Sequence, residues 1–174
     1  TELNIKNMVM YSQSELPNYV NDFFAFYGPP KQGLDLCTFY EKVEPGEDLE
    51  QVALRHYRYG VGNSWNPRWM HAWQLAYQRP PDNQGDIVKE LYITVADLYD
   101  EPGAEVLVEL GLRLDPREPD EYEIAHSILA AVFDAPAVSD FRIYACGDGE
   151  VIEGYLAIGY RANGETTTLA GFND

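Results

Sequence analysis

The chain has 174 residues, 45% hydrophobic and 13% aromatic, with 29 acidic against 12 basic residues and a formal net charge of -17. A chain of that length buries about two thirds of its unfolded surface around a real core, and its apolar content lies well above the disorder regime, so the charge belongs to a folded surface. Such a field repels phosphate backbones; it disfavours direct nucleic-acid binding and leaves basic protein partners, cations or solubility as its uses.

The first predicted element is a helix in "SELPNYVNDFFAFYGPP", with Ser14 as cap, Pro17 in the first turn and Gly28-Pro29-Pro30 as its stop. Leu16, Val20, Phe23 and Tyr27 share one face of it, as a docking helix requires. "CTFYEKV" reads as a strand and "EPGED" as a turn. A second helix starts at Asp48, with Gln51 placed for a capping box; Leu49, Val52, Ala53 and Tyr57 repeat at helical spacing, and Gly60 and Gly62 end it.

"NPRWMHAWQLAYQRPP" predicts a third helix, capped by Asn66 and stopped by Pro80-Pro81. Trp65, Trp69, Trp73 and Tyr77 recur every fourth residue, drifting only about 40° per step, while Leu75 is the one apolar side chain on the opposite side. The pattern then turns to period two: Leu91, Ile93 and Val95 predict one strand and Val106 to Leu114 the next, joined by "DEPG". "DEYEIAHSILAAVFDAP" predicts a helix with Asp120 and Glu123 as its capping box and Ile124, Ile128, Leu129, Val132 and Phe133 as its buried face. "FRIYACGDGEVIEGYLAIGYRA" predicts a hairpin turning at Asp148-Gly149.

The expected class is α+β, an antiparallel sheet of two hairpins with one helix packed on it. Three regions are expected: an N-terminal helix and arm over residues 1–35, a small βααβ unit over 36–95, and a hairpin-helix-hairpin domain over 96–174. Cys37 and Cys146 have no metal-ligand spacing and read as reduced, buried small residues. No run approaches the roughly 18 apolar residues of a membrane span, and "TELNIKNMVMYSQSE" lacks a basic stretch followed by an apolar one. The expected location is a virion or the cytoplasm.

"YEKVEPGEDLEQVALRHY" resembles the first half of the LysM module, a small βααβ unit: Tyr40, Val43, Gly46, Leu49, Val52, Ala53 and Tyr57 carry the likeness. "WMHAWQLAYQ" and "DIVKELYI" sit where that family's second helix and closing strand sit, and Glu47 with Asp48 depart from its usual turn. The resemblance implies a groove for N-acetylglucosamine polymers, peptidoglycan or chitin, with Gly46, Glu47, Asp48 and Leu49 facing Pro81, Asp82 and Ile87. Similar modules in phage tail and baseplate proteins serve as assembly parts, which implies protein neighbours instead.

From Gln51 to Pro81 there is no acidic residue, yet Arg55, Arg58, Arg68, Arg79, His56, His71 and all three tryptophans lie there. Residues 101–150 hold twelve acids against three arginines. Burying one Trp removes about 150–250 Å² from water, worth roughly 4–6 kcal/mol, so core packing outweighs the other uses of these rings. A protein interface is the second reading, with Arg55, Arg58, Trp65, Arg68 and Trp69, then His71, Trp73, Leu75 and Arg79, as its candidates. The partner is an assembly neighbour or another copy, docked head to tail through its acidic half. Stacking on sugar or bases is the third.

Catalysis is not expected. Glu123 and His126 share a helix face as metal ligands do, but one such pair falls short of a di-metal site, and a cap and a satisfied histidine explain them. His56 and His71 have no Cys or acid near them in sequence, no Ser or Cys stands in a nucleophile elbow, and the glycines of "CGDGEVIEG" lie in a hairpin and not between strand and helix. No metal or cofactor is implied. The expectation is a non-enzymatic assembly protein of a phage tail, baseplate or other virion part. Its rivals are a peptidoglycan- or chitin-binding protein and an acidic inhibitor (antirestriction, anti-CRISPR or immunity protein) whose carboxylates imitate DNA.

Overall fold

Runs of side chains buried on both faces drive residues 138–173 into a meander of three strands, β3 (Val138–Gly147), β4 (Glu153–Arg161) and β5 (Glu165–Asn173). The computed structural model describes residues 9–173. Two earlier strands flank the meander: β1 (Cys37–Lys42) pairs with β5, and β2 (Gln74–Gln78) pairs with β3. The resulting sheet is antiparallel throughout, in the order β1-β5-β4-β3-β2, and the class is α+β.

Both faces of the sheet are covered. Phe141, Ile143, Tyr155, Ala157 and Leu169 meet the layer of α1 (Asn18–Tyr27), α3 (Ile87–Tyr99), α4 (Gly103–Glu109) and α5 (Pro119–Phe133). Tyr144, Cys146, Leu156, Ile158 and Ala170 meet α2 (Leu49–Val61) on the other face. The period-two alternation of the central strands is therefore apolar on both sides, as in a sheet clad by helices. No helix among the described residues is long and apolar enough to cross a membrane.

Several expected elements stand as read. The α2 helix is capped by the Asp48 carboxylate, which accepts from Glu50 N–H without the capping box expected from Gln51, and it runs through Gly60 to end at Gly62 with φ 70°. In α1 the buried face is Val20, Phe23 and Tyr27, although Pro17, and not Ser14, stands at its cap. The β3–β4 turn is closed by the Asp148 carboxylate, which accepts the N–H groups of Glu150, Val151 and Ile152 at 2.9, 3.0 and 3.0 Å.

Four expectations are corrected. The helix expected from Asn66 is a short 3-10 turn, Pro67–Met70, followed by β2. A spacing of four residues satisfies a strand as well as a helix, and β3 supplies the pairing partner that local sequence does not reveal. Leu91, Ile93 and Val95 belong to α3, whose buried residues Ile87, Val88, Leu91, Thr94 and Val95 follow the helical repeat from the Asp86 cap. Val106 to Glu109 close α4, burying Val106 and Leu107, so two helices stand where two strands were expected. In α5 the cap is Glu118 with Pro119 in the first turn, no capping box forms, and Ile124 is exposed.

Consequently residues 36–95 form no self-contained βααβ unit. Their two strands, β1 and β2, are the opposite edges of one sheet, separated by three strands from the C-terminal part. The strand β5 was not anticipated, because Thr166, Thr167 and Thr168 look polar in sequence yet are buried here.

Candidate protein interface

The two sheet edges are treated differently. Along β1, Tyr11 lies edge-on to Tyr40 with ring centres 5.1 Å apart, and its hydroxyl accepts the Lys42 N–H at 3.1 Å. Thr38 donates its hydroxyl to the Gly28 carbonyl, and Thr38 and Tyr40 are buried. The arm and the loop after α1 thus cover that edge and take one of its backbone N–H groups. Beside this cover lies a cavity of about 310 Å³, lined by Val9, Met10, Leu16, Phe24 and Pro30 among others.

Along β2, Gln74, Leu75 and Gln78 are exposed. Among the described residues, no hydrogen bond outside the β2–β3 ladder reaches the backbone of residues 74 to 78. An edge of this kind presents unpaired N–H and C=O groups as a template for another chain. A bulge at Ala76 separates Leu75, opposite Tyr144, from Tyr77, opposite Ile143. Leu75 therefore points to the α2 face, where it stays 48% exposed, and Tyr77 to the helical layer.

On that side β2 and α3 bound a cleft of about 420 Å³, lined by Tyr77, Gln84, Lys89, Glu90, Ile93 and Thr94. Its inner wall is a buried ion cluster. Arg79 donates to both Glu90 oxygens at 2.9 and 2.6 Å, to Asp134 at 3.0 Å and to the Phe133 carbonyl at 2.7 Å, lying over the Phe141 ring at 4.4 Å. Tyr77 donates to Glu90 at 2.6 Å. Burial works against the Glu90 charge, but the bonds from Arg79 and Tyr77 outweigh it and hold its pKa below the usual range. Burial and the Glu90 bond push the Tyr77 hydroxyl up to about 12. The cleft rim carries Ile93, 54% exposed.

On the α2 side, Trp73 stacks on Tyr144 at 4.6 Å and on Tyr57 at 5.2 Å, and its Nε1 donates to Glu50 at 3.2 Å. Met70 and Val151 are exposed in the turns at that end of the sheet, joined by the Arg68–Glu150 pair at 3.3 Å.

Of the expected interface residues, Arg68, His71 and Leu75 are exposed and Trp73 is half-buried, whereas Trp69 and the side chain of Arg79 are buried. Arg55 is spent on Glu41 and Glu47, at 2.9 Å each, and Arg58 lies over Trp65 at 5.0 Å. Three of the four arginines of the acid-free segment, Arg55, Arg68 and Arg79, thus find their acids elsewhere in the fold and Arg58 lies on an aromatic ring, so it is not the free basic surface expected from sequence. Ile93, Tyr77 and the bulge at Ala76 are new to the site; an exposed Ile in a helix became visible only once residues 87–99 were helical.

The expected sugar groove does not form as one surface. Leu49 packs in the α2-side core and Ile87 in the helical-side core, with the sheet between them. Glu47 pairs with Arg55, Asp48 caps α2, Gly46 takes φ 88° in the turn, and Pro81 and Asp82 are exposed in the loop after β2.

His56 makes the contacts the sequence hid: its Nδ1 lies 2.7 Å from the Thr168 hydroxyl and its Nε2 3.0 Å from Glu41. Hydroxyl, imidazole and carboxylate are in line, but His56 and Thr168 are both completely buried, so no substrate reaches them. Burial pushes the His56 pKa down against the pull of Glu41. Glu123 and His126 are exposed on α5, and among the described residues no three His, Cys, Asp or Glu side chains converge as metal ligands would. No protein-family model, curated protein or solved structure matches this chain.

Proposed function

We propose that the protein is a non-enzymatic assembly component that acts through protein–protein contacts, of the kind found in phage tails, baseplates and other virion parts, and that its contact element is the β2 edge. The observation that carries this reading is the asymmetry of the sheet: β1 is covered by Tyr11 and Gly28, while β2 is bare and flanked by exposed Leu75 and Ile93. A bare strand beside a cleft offers main-chain bonds for affinity and a pocket for selectivity. The virion part of the reading rests on the likeness of Tyr40 to Tyr57 to LysM, of which β1, its turn and α2 remain.

A photo-crosslinking side chain placed at position 75, with another at exposed Glu121 as control, tests the contact in cells that make the protein. Protein adducts are expected at 75 and not at 121. Their absence at 75, or equal yields at both, overturns the reading.

A second reading is carried by the helical layer, where residues 97–123 hold ten acids against Arg113 and Arg117. An acidic decoy for a DNA-binding enzyme would present such a layer, and its complex would weaken steeply as salt rises.

A further inference from the structure

We propose that the occupant of the β2 edge is the β2 edge of a second copy of this chain, the two sheets meeting side by side about a two-fold axis; the inference rests on the contact reading above and names its partner. Charge selects the surface. Two chains of net charge -17 repel wherever their carboxylates face each other, and at physiological ionic strength the repulsion reaches only about 8 Å. What matters is therefore the charge at the contact itself. The strand reads Gln-Leu-Ala-Tyr-Gln, without a charge, at the end of the 31-residue stretch from Gln51 to Pro81 that contains no acid. Of the two edge strands, β1 carries Glu41 and Lys42 and is covered, so β2 is the one that meets a second acidic copy as a bare strand without charge.

Exposed apolar side chains agree with that choice. Leu75 stands on one side of the strand and Ile93 on the other, about half exposed each, so a neighbour seated on the edge covers both sheet faces of the seam at once. A two-fold contact presents the same pair from the partner, so Leu75 and Ile93 are matched by apolar groups. The bulge at Ala76 and the five-residue length of β2 limit how many ladder bonds form, which leaves these side chains to set the affinity. Because β1 is covered in each copy, the assembly closes at two and does not grow into a fibre.

Salt separates this contact from every ion-paired alternative. Association of two like-charged chains through a neutral edge strengthens as salt screens their repulsion, whereas docking of a basic partner, or of the acidic half of one copy on a basic face of another, weakens.

The test is the solution mass of the full chain by sedimentation equilibrium across concentration, at about 50 and about 500 mM salt. The expected result is a dimer whose affinity rises with salt and falls about tenfold or more in Leu75→Lys and in Ile93→Lys, both exposed and so expected to fold normally by circular dichroism. Ile124→Lys, the same change at an exposed residue on α5, should leave the mass distribution unchanged. A monomer at every concentration, a dimer indifferent to Leu75→Lys and Ile93→Lys, or an affinity that falls with salt overturns the inference. If the chain is monomeric while position 75 crosslinks to a different protein, the second copy is ruled out and the contact reading stands; if neither appears, both fail.

Discussion

Arg79 and Glu90 meet through two parallel hydrogen bonds of 2.9 and 2.6 Å, and that one pair ties the first residue after β2 to the first turn of α3. Both side chains are about nine-tenths buried. Removing Arg79 leaves the Glu90 carboxylate buried without a cationic partner, whereas removing Glu90 leaves Arg79 still paired with Asp134 at 3.0 Å. Arg79→Ala is accordingly expected to cost about 3–5 kcal/mol in urea unfolding. The double change Arg79→Ala with Glu90→Ala should cost less than the sum of the two single changes, and strict additivity would show that the pair is not coupled.

Much of this arrangement was legible where local physics decides. Asp48, the repeat of Leu49, Val52, Ala53 and Tyr57, and Gly62 mark α2 because cap, face and stop all lie within fifteen residues. The β3–β4 hairpin was legible for the same reason. Trp73 to Tyr77 were not, since a four-residue spacing fits both periodicities and only pairing with β3 chooses the strand. In α3, β-branched Ile87, Val88, Ile93, Thr94 and Val95 favour a strand locally, and packing on the sheet and α5 overrides that preference. The site was harder still. Leu75 stood out as an apolar residue on a polar side, but which strand is an edge, and which edge is covered, are properties of the whole topology.

Tyr57 links three elements by one oxygen. Its hydroxyl donates to the Trp69 carbonyl at 2.6 Å and accepts the Gly147 N–H at 3.0 Å, joining α2 to the turn before β2 and to the end of β3. Tyr57→Phe keeps the ring stack on Trp73 and strands both backbone groups, so the expected loss is about 1–3 kcal/mol. Thermal unfolding checks it, at roughly 2–4 °C per kcal/mol for a chain of this size. An unchanged melting temperature would mean that water replaces the hydroxyl.

Acid should unfold the protein in two stages. His56 is held below its ordinary value by burial, against the pull of Glu41. Burial alone would raise Glu41, but the bonds from His56 and Arg55 outweigh it and hold its carboxyl down, as those from Arg79 and Tyr77 hold down Glu90. For each of the three the folded pKa lies below the unfolded one, so the unfolded chain takes up protons first on acidification. Stability is therefore complete above about pH 6.5, declines below it as unfolded His56 charges, and declines faster below about pH 4.5. Asp134, raised by burial, acts in the opposite sense and offsets part of the lower stage. Urea midpoints from pH 8 to pH 4 measure the decline; His56→Asn should flatten its upper stage, and a wild-type midpoint constant down to pH 5 would contradict the assignment.

At Gly103 the start of α4 lies against the backbone of α3. A Cβ built there would lie 2.1 Å from the Tyr92 carbonyl oxygen, which is backbone and cannot swing aside. The Tyr92 side chain is itself pinned, its hydroxyl donating to the Leu114 carbonyl at 2.8 Å, so a shift of that turn is resisted at a second point. Gly103→Ala must therefore move one helix against the other, at about 1–3 kcal/mol for overpacking of this kind. Because α3 also carries Ile93 and Glu90, the displacement should reach the cleft beside β2, and amide exchange at residues 87–99 should speed up along with the loss of stability. Ala at 103 with full stability and unaltered exchange would show that α4 sits farther from α3 than this packing requires.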